Sequence, residues 1–105
     1  MDIHSIRKEF PILKQKNRGK DLIYFDTAAT SLKPISVIEA ESKFYKEYGG
    51  SVHRSVYELG EKATNAFEGS RKKIAHFIGA SDPASIIFTK GATESINLVA
   101  DAWGF

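Results

Sequence analysis

Two short β-leaning runs, residues 22–25 and 85–89, lie about 60 residues apart, and this separation limits what the chain can fold into. Everything between them favours helix or loop, so the two runs need not pair with each other. A lone buried strand leaves backbone N–H and C=O groups unpaired, which costs roughly 1–3 kcal/mol for each group. The sequence therefore predicts that partner strands lie in another part of a larger protein, or that a second copy of the chain supplies them.

Helical periodicity accounts for most of the remaining chain. Three or four helices are predicted. The candidates run to about residue 10, from Pro34 to the Gly49–Gly50 pair, from after residue 54 to about residue 78, and from about residue 92 onward. Asp2 or Ser5 caps the first helix. Residues 14–21 are basic and polar, and we interpret them as a solvated loop. The prediction for the isolated segment is a mainly helical structure with one or two short strands.

Composition excludes several classes of protein. The 42% hydrophobic and 27% charged content is that of a folded domain, and the net charge of +2 is too small to indicate a nucleic-acid or membrane surface. The absence of cysteine excludes disulfides, thiolate metal sites and a cysteine nucleophile in these 105 residues. No apolar run approaches the roughly 20 residues of a membrane span. We expect a cytoplasmic protein without a metal site.

The end of the second β-leaning run has the features of an anion site. Gly91 follows the run and precedes a helix, whose first N–H groups lack intrahelical partners and whose dipole is positive there. A phosphate is favoured at such a helix end, and the Thr93 hydroxyl adds a donor. The alternative is an ordinary turn capped by Thr93 and Glu94 without a ligand.

Two further segments contain candidate site residues. His53 and Arg54 follow the Gly49–Gly50 pair, and such a pair on a loop can contact an anionic substrate or can simply be exposed. Asp26 begins a run of small residues and has no paired carboxylate nearby, so we interpret it as the cap of that turn.

Four blocks together resemble class V aminotransferase-type enzymes. The segment YFDTAATSLKP (24–34) is similar to the motif YLDNAATS-x-KP, and SVHRS (51–55) is similar to xVHRG. The segment ATNAFEGSR (63–71) resembles ATEAYEGAR, and IIFTKGATESINLVA (86–100) resembles IVFTRGTTEAINLVA. The blocks occur in the family's order and spacing over nearly the whole chain. They are most similar to the SufS/NifS-like cysteine desulfurases.

This resemblance implies a fold, a cofactor and site residues. It implies the N-terminal portion of the α/β, fold type I architecture of aspartate-aminotransferase-like enzymes that depend on pyridoxal 5′-phosphate. Ala92 and Thr93 would bind the cofactor phosphate, although many relatives have threonine where Ala92 stands. Ala28, Ala29, His53 and Arg54 would line the active-site mouth near a dimer interface. Ser55 replaces the glycine that usually follows the arginine.

The resemblance also implies what such an enzyme does and what this chain lacks. The family converts L-cysteine to L-alanine, leaves a persulfide on a cysteine, and passes the sulfur to an acceptor protein for iron–sulfur clusters. Its cofactor-holding lysine and its cysteine lie downstream of the matched portion, so we expect the 105 residues alone to be inactive and to bind the cofactor weakly at best. Truncation is our explanation for the length. Residues 1–33 are expected to form a helix, loop and short strand, and residues 34–105 to begin the large cofactor-binding domain.

Other functions stay open at this point. The chain could be a non-catalytic module that self-associates or binds a partner, or part of a selenocysteine lyase, epimerase, kynureninase-like hydrolase or aminotransferase of the same class. In either case, we expect a homo-oligomer, with a dimer favoured by the resemblance.

Overall fold

The computed structural model describes residues 2–104. The described helices are α1 (Ile3–Lys8), α2 (Ile35–Lys43), α3 (Glu58–Ile78) and α4 (Ala92–Trp103), with 3-10 turns at Pro11–Lys14 and Pro83–Ser85. A π-helical segment, Phe44–Tyr48, continues α2, and two short strands, β1 (Lys16–Asn17) and β2 (Lys20–Asp21), complete the inventory. The chain divides into two compact units, an N-terminal unit that ends at Ala63 and a C-terminal unit that begins at Thr64.

Arg7 organises the start of the N-terminal unit. Its guanidinium donates hydrogen bonds of 3.2 Å to the Leu13 carbonyl and 2.8 Å to the Leu22 carbonyl. The amide of Ile35 donates to the Glu9 carbonyl at 2.7 Å, which joins the end of α1 to the start of α2. These bonds fix the segment between the two helices, where the resemblance to the family begins.

The polar segment predicted as a loop contains the only regular strand pairing among the described residues. β1 and β2 are antiparallel, with Lys16 opposite Asp21 and Asn17 opposite Lys20. Arg18 and Gly19 connect them with φ values of 50° and 77°. Two successive left-handed residues match the twist of a tight hairpin, and glycine meets that requirement without steric cost. The prediction that residues 14–21 form a loop was therefore wrong for residues 16–17 and 20–21, which are strands.

The two β-leaning runs are not strands. Residues 22–25 are irregular, and residues 86–89 follow a 3-10 turn as irregular extended chain. Residues 87–89 make no backbone hydrogen bond to any described residue, whereas the Ile86 amide is bonded to the Pro83 carbonyl at 3.0 Å. Both predicted strands were wrong for this chain, because a β-rich composition yields a strand only where another strand pairs with it.

Aromatic packing joins the elements of the C-terminal unit. The ring of Phe67 on α3 meets that of Phe88 edge-on, with centroids 5.1 Å apart. The Arg71 guanidinium lies 5.3 Å from the centroid of Phe67. Gly79 follows α3 with φ 73°, the left-handed end that the sequence predicted. This packing sets the position of the extended segment that leads into α4.

Little of the described chain is fully buried. The buried hydrophobic residues are Ala63, Ala75 and Ile86, with 1%, 2% and 8% of their surface exposed. Large side chains of α4 face solvent, and Trp103 is 87% exposed. No described helix combines the length and the apolar character that crossing a bilayer would need. The large apolar residues of α4 therefore lie on the surface of the described chain.

The cap of α1 gives a pH-dependent prediction. Hydrogen bonds from the Ser5 hydroxyl and the His4 amide hold the pKa of Asp2 below its ordinary value of 3.8. A lowered folded-state pKa means that the capping contribution is fully present above the unfolded-state pKa and is lost as the pH falls through the folded-state value. We expect NMR amide shifts across Ile3–Lys8 to report loss of helix only in that acidic range.

An asparagine at this position provides the control. Asp2→Asn keeps an oxygen acceptor for the helix amides but does not titrate, so its α1 shifts should stay constant between pH 5 and about pH 2. An identical acid transition in both proteins would show that Asp2 is not responsible.

Candidate functional site

The start of α4 presents unpaired amide donors. Gly91 occupies the N-cap position without a side-chain cap, and the first bond of the helix runs from the Ser95 amide to the Gly91 carbonyl at 3.1 Å. The amides of Ala92 and Thr93 consequently have no acceptor within the described chain, and the Thr93 hydroxyl has none either. Three donors thus lie together at the positive end of the helix dipole.

Glu94 caps a neighbouring amide and leaves those donors free. Its carboxylate accepts a 2.5 Å hydrogen bond from the Lys90 amide, one residue before the N-cap. Thr89 Oγ1 lies 2.7 Å from Ser95 Oγ, so one of these hydroxyls donates to the other and the second is left to donate to the Gly91 carbonyl, which lies 3.3 Å from Thr89 Oγ1 and 3.2 Å from Ser95 Oγ. The predicted alternative of a turn capped by Thr93 and Glu94 is therefore correct only for Glu94.

Gly91 lies at a bend in the backbone before α4. Its φ of 162° is extended backbone, so the bend does not require a glycine for its conformation. A Cβ at this position would meet nothing within 4 Å. An open cavity of about 510 Å³ lies over the helix end, lined by Lys90, Gly91, Ala92, Thr93, Glu94 and Asn97. Both the free donors and the space fit a phosphate group.

Ala28 and Ala29 lie in a turn that backbone atoms close. The Asp26 carbonyl accepts the amides of Ala29 at 3.1 Å and Thr30 at 3.2 Å. The Tyr24 hydroxyl has one proton to donate, and two acceptors lie within reach of it: the Thr30 carbonyl at 2.5 Å and the Asp26 carbonyl at 3.0 Å. Asp26 thus caps the turn, as interpreted from the sequence, and it does so through its backbone carbonyl. The two alanines are left exposed.

His53 and Arg54 lie on the connection between the π-helical segment and α3. His53 has φ 62°, a left-handed conformation that few non-glycine residues adopt. Arg54 is exposed and forms no ion pair with another described residue. The alanine turn and this loop both belong to the N-terminal unit, while Ala92 and Thr93 belong to the C-terminal unit. Within each of these three segments, the two candidate residues are neighbours in the sequence and lie side by side.

Comparison with known proteins identifies the family. The model of the family described as aminotransferase class-V matches residues 23–105. The chain belongs to the class-V aminotransferase family. The matched range includes every candidate site residue. A probable cysteine desulfurase of Halalkalibacterium halodurans is 52% identical over 99% of the chain, and a cysteine desulfurase of Synechococcus elongatus is 42% identical over 98%.

A solved structure of a cysteine desulfurase confirms the fold class. The apo structure of cysteine desulfurase from Thermococcus onnurineus NA1 matches 95% of the chain with a TM-score of 0.84 and 43% identity. The chain is therefore part of a fold type I, α/β architecture, as predicted. By itself it is mainly helical with two short strands, which agrees with the predicted class, although the strands do not lie in the two predicted runs. The chain spans 26%, 16% and 23% of the Halalkalibacterium, Synechococcus and Thermococcus proteins, respectively.

Sequence reasoning missed the contacts of three residues in the blocks that resemble the family. Tyr24 ties the alanine turn through its hydroxyl, and Asn97 lines the cavity at the start of α4. Asn97 follows Thr93 by four residues, a spacing that places both on one helix face and could have revealed it. Ser55 bonds across the loop of His53 and Arg54, and no local pattern predicts that contact. Among the described residues, no group of three or more histidines and carboxylates could hold a metal ion.

Proposed function

We propose that the chain is the N-terminal part of a pyridoxal-phosphate-dependent cysteine desulfurase, a transferase that converts L-cysteine to L-alanine and keeps the sulfur as a persulfide. The observation that carries this proposal is the set of three unpaired donors at the start of α4, within a block that resembles the family's phosphate turn. Relatives and a solved structure named as cysteine desulfurases support the choice within the class.

In this proposal, the start of α4 holds the cofactor by its phosphate. The amides of Ala92 and Thr93 and the Thr93 hydroxyl donate to the phosphate oxygens, and the helix dipole stabilises their charge. Ala92 contributes no side-chain donor, so its amide is its whole contribution. Pyridoxal phosphate, when bound, supplies the electron sink of the reaction.

The two loops of the N-terminal unit recognise the substrate in the same proposal. Arg54 is exposed and without an ion pair in the described chain, so its guanidinium can receive the carboxylate of L-cysteine. His53 stands beside it. The small side chains of Ala28 and Ala29 leave room at the mouth of the site. These four assignments stay predictions.

The remaining chemistry belongs to other parts of the complete enzyme. The 105 residues contain no cysteine, so the persulfide must form on a cysteine outside them, and we propose that the chain alone is inactive. A homodimer, a sulfur-acceptor protein of iron–sulfur assembly and a cytoplasmic location are proposed on the resemblance. The division at residues 33 and 34 stays a prediction for the complete enzyme.

An exchange of segments tests the proposal. The 105 residues replace the matched segment of the Thermococcus onnurineus enzyme, to which they are 43% identical with a TM-score of 0.84. We expect this chimera to release L-alanine from L-cysteine with pyridoxal phosphate present, and the isolated chain to release none. A chimera with the thermal stability of the Thermococcus protein but no activity would contradict the proposal. Activity on L-selenocysteine alone would instead indicate a lyase.

A second candidate function rests on the exposed surface of the C-terminal unit. Backbone groups of residues 87–89 are unpaired within the described chain, and Ile96, Val99 and Trp103 of α4 are exposed. Such surfaces favour association with another chain. If the chain is a non-catalytic binding module, sedimentation should show a stable assembly of the 105 residues, and the chimera should be inactive.

A further inference from the structure

The loop that carries His53 and Arg54 is closed where Gly50 approaches Leu59 and Gly60 at the start of α3. We call this close approach the glycine neck. Residues 51–57 leave after Gly50 and return at the first turn of α3, which contains Gly60. A Cβ at Gly50 would lie 3.0 Å from both the Gly60 nitrogen and the Leu59 carbonyl carbon. The two backbones therefore approach as closely as a residue without a side chain allows.

Ser55 closes the same neck from inside the loop. Its hydroxyl donates a 2.8 Å hydrogen bond to the Ser51 carbonyl, so the loop is bonded across four residues. A Cβ built on Gly60 would lie 2.1 Å from the Ser55 Cβ and 2.5 Å from its hydroxyl oxygen. Ser55 thus occupies the space that a side chain at position 60 would need, and its position is set by both contacts.

Arg54 lies between two constrained residues. His53 before it has φ 62°, which costs free energy for a non-glycine residue and persists only where the surroundings hold it. Ser55 after it is anchored to Ser51 and packed on Gly60. The backbone of Arg54 therefore has a defined direction, although its side chain is exposed.

We propose that Ser55 is a positioning residue that, through its bond to Ser51, directs Arg54 toward the carboxylate of the substrate. This inference rests on the proposed function, because that function gives Arg54 its ligand. In the motif that this loop resembles, glycine stands after the arginine and has no hydroxyl for such a bond. In this chain, the serine hydroxyl therefore adds a hydrogen bond across the loop that a glycine at this position could not form.

The test uses the chimera with the Thermococcus enzyme as a complete holoenzyme. Ser55→Ala keeps the Cβ against Gly60 and removes only the hydroxyl. Because one neutral hydrogen bond is lost, we expect KM for L-cysteine to rise about three- to tenfold, with a smaller change in kcat and no loss of thermal stability. Ser55→Thr, which keeps the hydroxyl, should have the KM of the parent chimera.

A double variant separates positioning from other effects. In an Arg54→Ala background, which itself should raise KM, Ser55→Ala should have no further effect, because it acts through Arg54. An unchanged KM in Ser55→Ala, an equal effect in both backgrounds, or a parallel loss of thermal stability and kcat would each overturn the proposal. An inactive parent chimera, or an Arg54→Ala variant with unchanged KM, would instead overturn the assigned function, and Ser55 would then have no substrate-binding arginine to direct.

Discussion

Gly60→Ala will destabilise the start of α3 by about 3 kcal/mol, and Ser55→Gly will remove most of that cost. The added Cβ would lie 2.1 Å from the Ser55 Cβ, a distance that forces the backbone to move. Overpacking of a tight site typically costs about 1–3 kcal/mol, and here the neck leaves little room for relaxation. Once Ser55 is glycine, the nearest remaining atom is the Ser51 carbonyl oxygen at 3.3 Å, so the cost should fall below about 1 kcal/mol.

Hydrogen exchange of the first amides of α3 measures this effect. Gly60 and Glu61 donate to the Tyr57 carbonyl at 2.9 and 3.1 Å, and we expect their protection to fall about a hundredfold or more in Gly60→Ala. Gly69→Ala is the matched control, because it lies in the same helix and its Cβ would meet nothing within 4 Å. That variant should gain up to about 1 kcal/mol from helix propensity. If Gly60→Ala kept the hydrogen-exchange protection of the parent protein, Ser55 could not be packed as closely on Gly60 as the structure shows.

Sequence reasoning succeeded where the determinants are local. Asp2, one of the two predicted candidates, caps α1; Gly79 ends α3 in the left-handed conformation, as predicted; and α4 begins at Ala92, close to the predicted start. In each case the required signal lies within a few residues of the feature it controls: a side-chain acceptor, an absent Cβ or a helical period. The position of Thr93 beside unpaired amides followed from the same local logic.

The predicted strands failed because pairing is not a local property. Residues 22–25 and 85–89 have β-rich compositions, but no described segment offers either of them a strand partner. The hairpin formed instead at Arg18 and Gly19, where only the glycine is a recognisable turn signal. An arginine with positive φ has no sequence signature.

The neck around His53 and Arg54 was hidden for a similar reason. Gly50 and Gly60 are ten positions apart, and their close approach depends on how the loop between them returns to α3. The sequence comparison with the family motif marked Ser55 as a departure, but only the 2.8 Å bond to Ser51 shows what the serine does. The left-handed conformation of His53 could not be predicted from its type.

Removing one amide at the start of α4 will weaken cofactor binding about tenfold to a hundredfold. Ala92 is the first helical residue, a position where proline is tolerated, so Ala92→Pro deletes the N–H without breaking the helix. A charge-assisted hydrogen bond contributes about 1.5–3 kcal/mol, which sets the size of the loss. Ala92→Thr adds the hydroxyl donor that the resembled motif has at this position and should tighten binding. Thr93→Val should weaken it by removing the other hydroxyl.

The decisive measurement compares pyridoxal phosphate with pyridoxal, which lacks the phosphate. Dissociation constants of both are measured by calorimetry on the apo chimera and its Ala92→Pro variant, with circular dichroism to confirm equal helix content. If the first amides of α4 hold the phosphate, the variant loses affinity for pyridoxal phosphate and keeps its affinity for pyridoxal. Equal losses for both ligands, or no loss for either, would show that the phosphate is bound elsewhere.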